Sequence, residues 1–222
     1  MVRFVVMAAG LATRMGRDKL ALPWDKTTVL GHVVETVFGS LELVDEPSWG
    51  LFSVAAFVEI YVVSRKPIEV YLTEKEIQRF KAYGAKWIQI PEPRPLAETL
   101  HASLQDLDRD IEMIGFLPGD QVGVTSRVLA SCLRRVLEIV PDFLVPFAGE
   151  TSGSPVFFHR RYVSELLNLR GEQGGRVVLY RYPERWRRFT VDENFFQDVD
   201  TPEQYQALLV KDEKGTSLKF IT

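Results

Sequence analysis

The sequence predicts an α/β fold of three layers, α/β/α, around a mostly parallel central sheet. Apolar β-branched runs alternate with segments of helical periodicity along the chain, which is the signature of strand-helix-strand crossovers. The first apolar run breaks into Ala8-Ala9-Gly10, small residues at the strand end where such sheets present their ligands. With 222 residues, 46% of them hydrophobic, the chain can bury one large core.

In order, Val2, Phe4, Val5 and Val6 make Val2–Met7 a buried strand, and a helix over Thr28–Gly39 follows. Strand Val58–Ser64 leads to helix Thr73–Tyr83, strand Lys86–Ile90 and helix Leu96–Leu107. Strand Met113–Leu117 precedes helix Arg127–Ile139, then strands Phe143–Phe147 and Pro155–Phe158, helix Arg161–Leu169 and helix Pro202–Leu209. Residues 1–210 read as a single domain and 211–222 as a C-terminal tail. The stretch 41–56 (LELVDEPSWGLFSVAA) exceeds an ordinary connection and reads as an insertion or lid-like loop.

Composition narrows the function. A net charge of −3 leaves no basic surplus for nucleic acid. No apolar run approaches a membrane span, and the N-terminus reads as a strand rather than a signal peptide. The single cysteine, Cys132, cannot form an internal disulfide and falls in an apolar helical pattern, so a cytoplasmic location is the default expectation. His32, His101 and His159 lack the spacing of a metal site.

Three segments carry chemistry. After Gly10 come Arg14, Arg17 and Lys19, so a strand end with open amides is followed by cations that can neutralise phosphate. In Ile114–Gln121 (IGFLPGDQ), Asp120 stands directly after a Pro-Gly turn, where a carboxylate opposite a phosphate loop suits Mg²⁺; a capping role for the helix near Thr125 is the plainer alternative. In Asp198–Tyr205 (DVDTPEQY), Thr201-Pro202-Glu203 reads as a helix start. Asp198 and Asp200 would share one face of an extended segment, and beside Asp120 they would need a cation.

A fourth stretch runs from Ser152-Gly153-Ser154-Pro155-Val156 to Leu169-Arg170-Gly171-Glu172-Gln173-Gly174-Gly175-Arg176. Its residues fit a strand-helix-turn-helix module and a site for a polar, phosphorylated substrate equally well.

The first segment resembles the nucleotidyltransferase signature A-A-G-x-x-x-R-M-G-x-x-K, filled at Ala8, Ala9, Gly10, Arg14, Met15, Gly16 and Lys19. The Asp120 segment is similar to the L-G-D-Q-P metal segment of that superfamily, and the Asp200 segment to its D-x-D-T-P-E. With the 152–176 stretch, which resembles G-H-P-V-x-F … L-x-G-D-x-G-A-R, the likeness spans Val2 to Leu208. It points to MobA-like NTP transferases, closest to molybdenum cofactor cytidylyltransferases. Ser154 stands where the family usually has His, Glu172 and Gly175 replace Asp and Ala, and Thr99 replaces a glycine beside Ser103-Leu104.

The resemblance implies a Rossmann-like, nucleotide-diphospho-sugar transferase-like fold and transfer of a nucleoside monophosphate to the phosphate of molybdopterin. It implies Arg14 and Lys19 as catalytic residues, and Ala8, Ala9, Gly10, Leu11, Thr99 and Ser103 at the nucleotide. Asp120, Asp200 and Asp198 are expected at Mg²⁺, and Ser152, Gly153, Ser154, Arg170 and Arg176 at the acceptor. CTP is expected over GTP, because the GTP-using branch reads A-G-G where this chain has Ala9. Partners are then the nucleotide, molybdopterin or the molybdenum cofactor, and a molybdenum enzyme as recipient, with neither nucleic acid nor membrane. The alternatives are a sugar-1-phosphate nucleotidyltransferase, or a non-catalytic nucleotide- or pterin-binding accessory protein for molybdoenzyme maturation.

Overall fold

The structure is a computed structural model that describes residues 1–10, 16–44, 54–90 and 93–215. Strand β1 (Val2–Ala8) forms the centre of the main sheet. Strands β4 (Val58–Ser64) and β6 (Met113–Pro118) pair with it in parallel on either side, with Val2 opposite both Val58 and Met113. Beyond β4 lies β5 (Lys86–Gln89), also parallel. On the other side the order runs β6, β9 (Val156–His159), β7 (Phe143–Ala148) and β10 (Trp186–Thr190). Strand β9 is antiparallel to both neighbours, whereas β7 and β10 are parallel to each other. A short β8 (Thr151–Ser152) folds back on β7, and β2 (Pro23–Trp24) with β3 (Thr27–Thr28) makes a separate hairpin. The expected mostly parallel sheet is therefore what the chain forms.

Helices cover both faces. Helices α1 (Val29–Val44), α2 (Glu74–Ala82), α4 (Ser126–Ile139) and α7 (Pro202–Gly215) pack on one side. Helices α3 (Leu96–Ser103), α5 (Val163–Leu167) and α6 (Arg176–Leu179) pack on the other. Strand alternation divides β1 accordingly: Val2, Phe4, Val6 and Ala8 enter the first core, and Val5 with the following Ala9 the second.

Arg3 lies on that second face and is almost fully buried. It bonds Glu59 at 3.0 Å and donates to the carbonyls of Ser103, Gln105 and Asp106, closing the C-terminal end of α3. That contact sets where α3 ends and thus where its first turns face the sheet.

Boundaries differ from the sequence reading in two informative ways. Helix α1 runs five residues past Gly39 to Val44, so the start of the expected 41–56 loop is helical; residues 45–53 lie outside the described residues. Helix α7 likewise continues to Gly215, into the expected tail, with 216–222 outside the described residues. Among the described residues no helix is long and apolar enough to cross a membrane.

Candidate active site

The carboxyl ends of β1 and β6 lie side by side because Gly119 lets them. A Cβ on Gly119 would fall 3.2 Å from the Ala8 Cβ and 3.3 Å from the Met7 carbonyl, and the Gly119 amide instead donates to that carbonyl at 2.9 Å. Asp120 is thereby delivered beside the Ala9-Gly10 turn. The segment carrying Asp198 and Asp200 comes in from a different route. A 3-10 turn at Glu193–Phe196 packs against Gly123, whose Cβ would sit 1.9 Å from the Asn194 carbonyl oxygen. The Gly123 amide donates to Gln197 O at 2.9 Å and the Val199 amide to Asp120 O at 3.1 Å. Only glycine allows that approach.

Asp200 is then held by the start of α7. Thr201 Oγ1 accepts from the Gln204 amide at 3.2 Å, and Gln204 Oε1 accepts from the Asp200 and Thr201 amides at 3.0 Å. The expected helix start is thus also the device that fixes the carboxylate preceding it.

Lys19 joins the two carboxylates. Its ammonium bonds Asp120 and, at 2.7 Å, Asp200 Oδ1. Burial alone would lower the Lys19 ammonium, but Asp120 and Asp200 outweigh it and hold the group charged above the usual lysine range. Asp198 experiences the opposite balance: burial, then the Asp120 and Asp200 carboxylates, push its carboxyl above the usual range. Three carboxylates and one ammonium leave the cluster short of positive charge, and all the donors are hard oxygens. That donor set fits Mg²⁺. Among the described residues no three His, Cys, Asp or Glu side chains form a metal-holding group, and Asp120 and Asp200 are the carboxylates that Lys19 joins.

A cavity of about 300 Å³ opens beside this cluster. Its lining combines the charged Asp18, Lys19, Asp120 and Arg176 with the apolar Leu100, Phe116, Val156 and Phe158 and with Ser154, Gly174 and Gly175. Ala9, Gly10 and Thr99 also line it. Charged groups beside an apolar lining are the common form of a nucleotide- or cofactor-sized site.

Of the sequence-predicted residues, the cavity brings together Ala9, Gly10, Lys19, Thr99, Asp120, Ser154 and Arg176. Asp198 and Asp200 join at the Lys19 end. Leu11 and Arg14 lie outside the described residues. The other expected residues do not line this cavity. Ser103 is fully buried and turns away to donate to Leu100 O at 2.6 Å, because α3 ends there. Arg170 closes the end of α5, donating to Leu167 O and Leu169 O, and does not line the cavity. Ser152 belongs to β8, Gly153 is covered by the Phe196 ring, and Ala8 points into the core on the far side of the sheet. The histidines and Cys132 stay structural: His32 meets Val122 O, His101 meets Leu166 O, His159 accepts from the Arg161 amide, and burial pushes the Cys132 thiol far up.

Two polar residues of the site escaped the sequence reading. Gln121 is buried and donates to Ser154 O at 2.7 Å and Phe195 O at 2.9 Å, tying the Asp120 turn to Ser154 and to the segment that leads to Asp200. Asp18 caps the 3-10 turn Lys19–Ala21 and bonds Lys66 and Tyr71. Both adjoin residues already singled out, and adjacency was the only signal for either.

A family model for the MobA-like NTP transferase domain matches residues 4–186. Among solved structures, Rv0371c from Mycobacterium tuberculosis H37Rv is similar, at 23% identity and a TM-score of 0.68, over 94% of this chain and 97% of that one. Its homolog from Mycobacterium sp. strain JC1 shares 23% identity with a TM-score of 0.70, over 96% and 97%. Molybdopterin-guanine dinucleotide biosynthesis protein A from Archaeoglobus fulgidus shares 17% with a TM-score of 0.60, over 96% and 99%. A comparison with curated proteins gives no match.

Proposed function

The chain belongs to the MobA-like NTP transferase family, and from that premise we propose that it transfers CMP from CTP to the terminal phosphate of molybdopterin. What carries this reading is Lys19, bonded to Asp120 and Asp200 in the lining of a cavity that Arg176 also lines. Two cations in one cavity allow one for each phosphate-bearing substrate.

In the proposed reaction a phosphate oxygen of the acceptor attacks the α-phosphorus of CTP. The bond to the bridging α–β oxygen breaks, and pyrophosphate leaves with the electron pair. Such a transfer asks the protein for positioning and charge rather than for a covalent intermediate. The turn at Ala9-Gly10 receives the nucleotide, and among the described residues a side chain at Gly10 would meet no atom within 4 Å. Lys19 exchanges one carboxylate partner for an α-phosphate oxygen and stabilises the charge that builds there. Arg14 keeps its expected role at the departing phosphates. Asp120 and Asp200, with Asp198 beside them, would hold Mg²⁺, which supplies charge neutralisation along the triphosphate. Ser154 and Arg176 orient the acceptor phosphate, and the Ala9 methyl with Thr99 restricts the base end in favour of a pyrimidine.

The test is pyrophosphate release with CTP, GTP, ATP or UTP, each offered molybdopterin or a panel of sugar 1-phosphates. Release with CTP and molybdopterin is the expected result. Release with sugar phosphates alone would move the chain to the sugar-nucleotide branch. Binding without release under every pairing would make it an accessory protein.

A further inference from the structure

Asp18 poses an electrostatic problem. Asp18 lines the cavity next to Lys19, where a triphosphate would arrive, and an uncompensated negative charge there opposes binding. The structure compensates it three times. Lys66 Nζ lies 2.7 Å from Asp18 Oδ2, the Tyr71 hydroxyl donates to the same oxygen at 3.0 Å, and the Leu20 amide donates to Oδ1 at 3.2 Å. Burial raises the Asp18 carboxyl, but these partners together hold it below the usual range, so it stays ionised.

The partners are themselves braced. The Lys66 amide donates to Ser64 Oγ at 3.3 Å and its carbonyl accepts from Trp87 Nε1 at 3.1 Å, fixing the backbone just past β4. Tyr71 is buried, its carbonyl accepts from Thr28 Oγ1 at 2.7 Å, and burial followed by Asp18 pushes its hydroxyl up to about 12, which keeps it a donor. The Lys66 side chain remains 44% exposed, so it is held for its charge rather than for packing.

We propose that Lys66 is a positioning residue for nucleotide binding: it neutralises Asp18, whose carboxylate holds the Lys19 turn, so that the turn can be fixed by an acid without repelling the triphosphate. This rests on the nucleotidyltransferase reading above. Lys66 acts through Asp18, and the two charges form one unit.

The test is a charge cycle read by steady-state kinetics and by calorimetric CTP binding. Lys66→Met should raise the KM and Kd for CTP roughly tenfold, the scale of one like charge placed against a ligand, with kcat within about twofold. Asp18→Asn with Lys66→Met should restore both constants to within about threefold of the native values, because Asn keeps the acceptor for the Leu20 amide. Thermal unfolding midpoints of both variants accompany the cycle. An unchanged KM in Lys66→Met overturns the proposal. So does a double variant as impaired as the single one, since Lys66 would then act without Asp18. A native protein that binds CTP and shows the cycle in Kd but releases no pyrophosphate would sink the catalytic reading and leave this one standing.

Discussion

Strands β5, β4, β1 and β6 run in one direction, the last three with near-continuous apolar sequence, and the ends of β1 and β6 lead into Ala9 and Asp120. Strand β9 alone breaks that direction and gives Val156 and Phe158 to the cavity, while β7 and β10 resume it and finish on an edge whose Arg187 and Arg188 are exposed. In the first group each chemical group sits within two residues of a strand or helix terminus, as Ala9, Asp120 and Asp200 do. In the other half the cavity lining is held by distant contacts: Gln121 to Ser154 O, and Gly174 against Leu96. The first half is built to fix charge and the second to shape a space. Substitutions in the first should therefore cost turnover, and substitutions in the second should cost acceptor affinity.

The sharpest test lies at the junction of β6 and the Asp200 segment. Asp120→Asn should abolish turnover while leaving the protein folded, because it removes one partner of Lys19 and one hard anionic donor together. Asp200→Asn should follow closely, and Asp198→Asn should be milder, since Lys19 bonds Asp200. Magnesium titration of pyrophosphate release, with circular dichroism as the folding control, would rank them. A ranking led by Asp198 would overturn the assignment.

Next in size, Lys19→Ala should slow turnover roughly 10²–10³-fold, the usual cost of losing one charge stabiliser of the transition state. Single-turnover rates would separate this from binding. The same variant frees Asp120 and Asp200 to repel one another, so the loss should deepen as magnesium is lowered.

Specificity comes third. Ala9→Gly should relax the CTP preference by part of the roughly 10–200-fold range that one methyl group contributes in a pocket. Competition between equal CTP and GTP would read it. A native preference for GTP would remove the cytidylyl assignment and spare the wider one.

The same division explains what the sequence made legible. Strands buried on both faces read as unbroken apolar runs, so β4 emerged with the boundaries it has, and β1, β6 and β7 each within a residue. Strand β10 (WRRFT) did not emerge, because an edge strand exposes charged residues and loses the alternation that marks a half-buried strand. Site residues at strand ends announced themselves by type and position. Ser103 and Arg170 match a pattern by spacing, whereas their side chains bond local carbonyls, which only tertiary packing reveals. Buried Arg3 and Gln121 are the converse: each bonds carbonyls far away in the sequence, which no local pattern encodes.

The smallest expected effect tests Arg176 alone. Arg176 is exposed at the start of α6, and its place in the cavity is set by Gly174 and Gly175, which tuck against Leu96 and Phe158. If its task is to meet the acceptor phosphate, the contact forms equally in the ground and transition states, because that phosphate keeps most of its charge until attack. Uniform binding of this kind appears in KM and not in kcat. Arg176→Ala should therefore raise the acceptor KM about tenfold, the order of one charge-assisted hydrogen bond, and leave kcat and the KM for CTP nearly unchanged. Arg176→Lys should recover part of the loss, as the charge returns without the fork. A fall in kcat instead would carry Arg176 over to the charge-fixing half, and the functional division between the two halves of the sheet would fail at that residue.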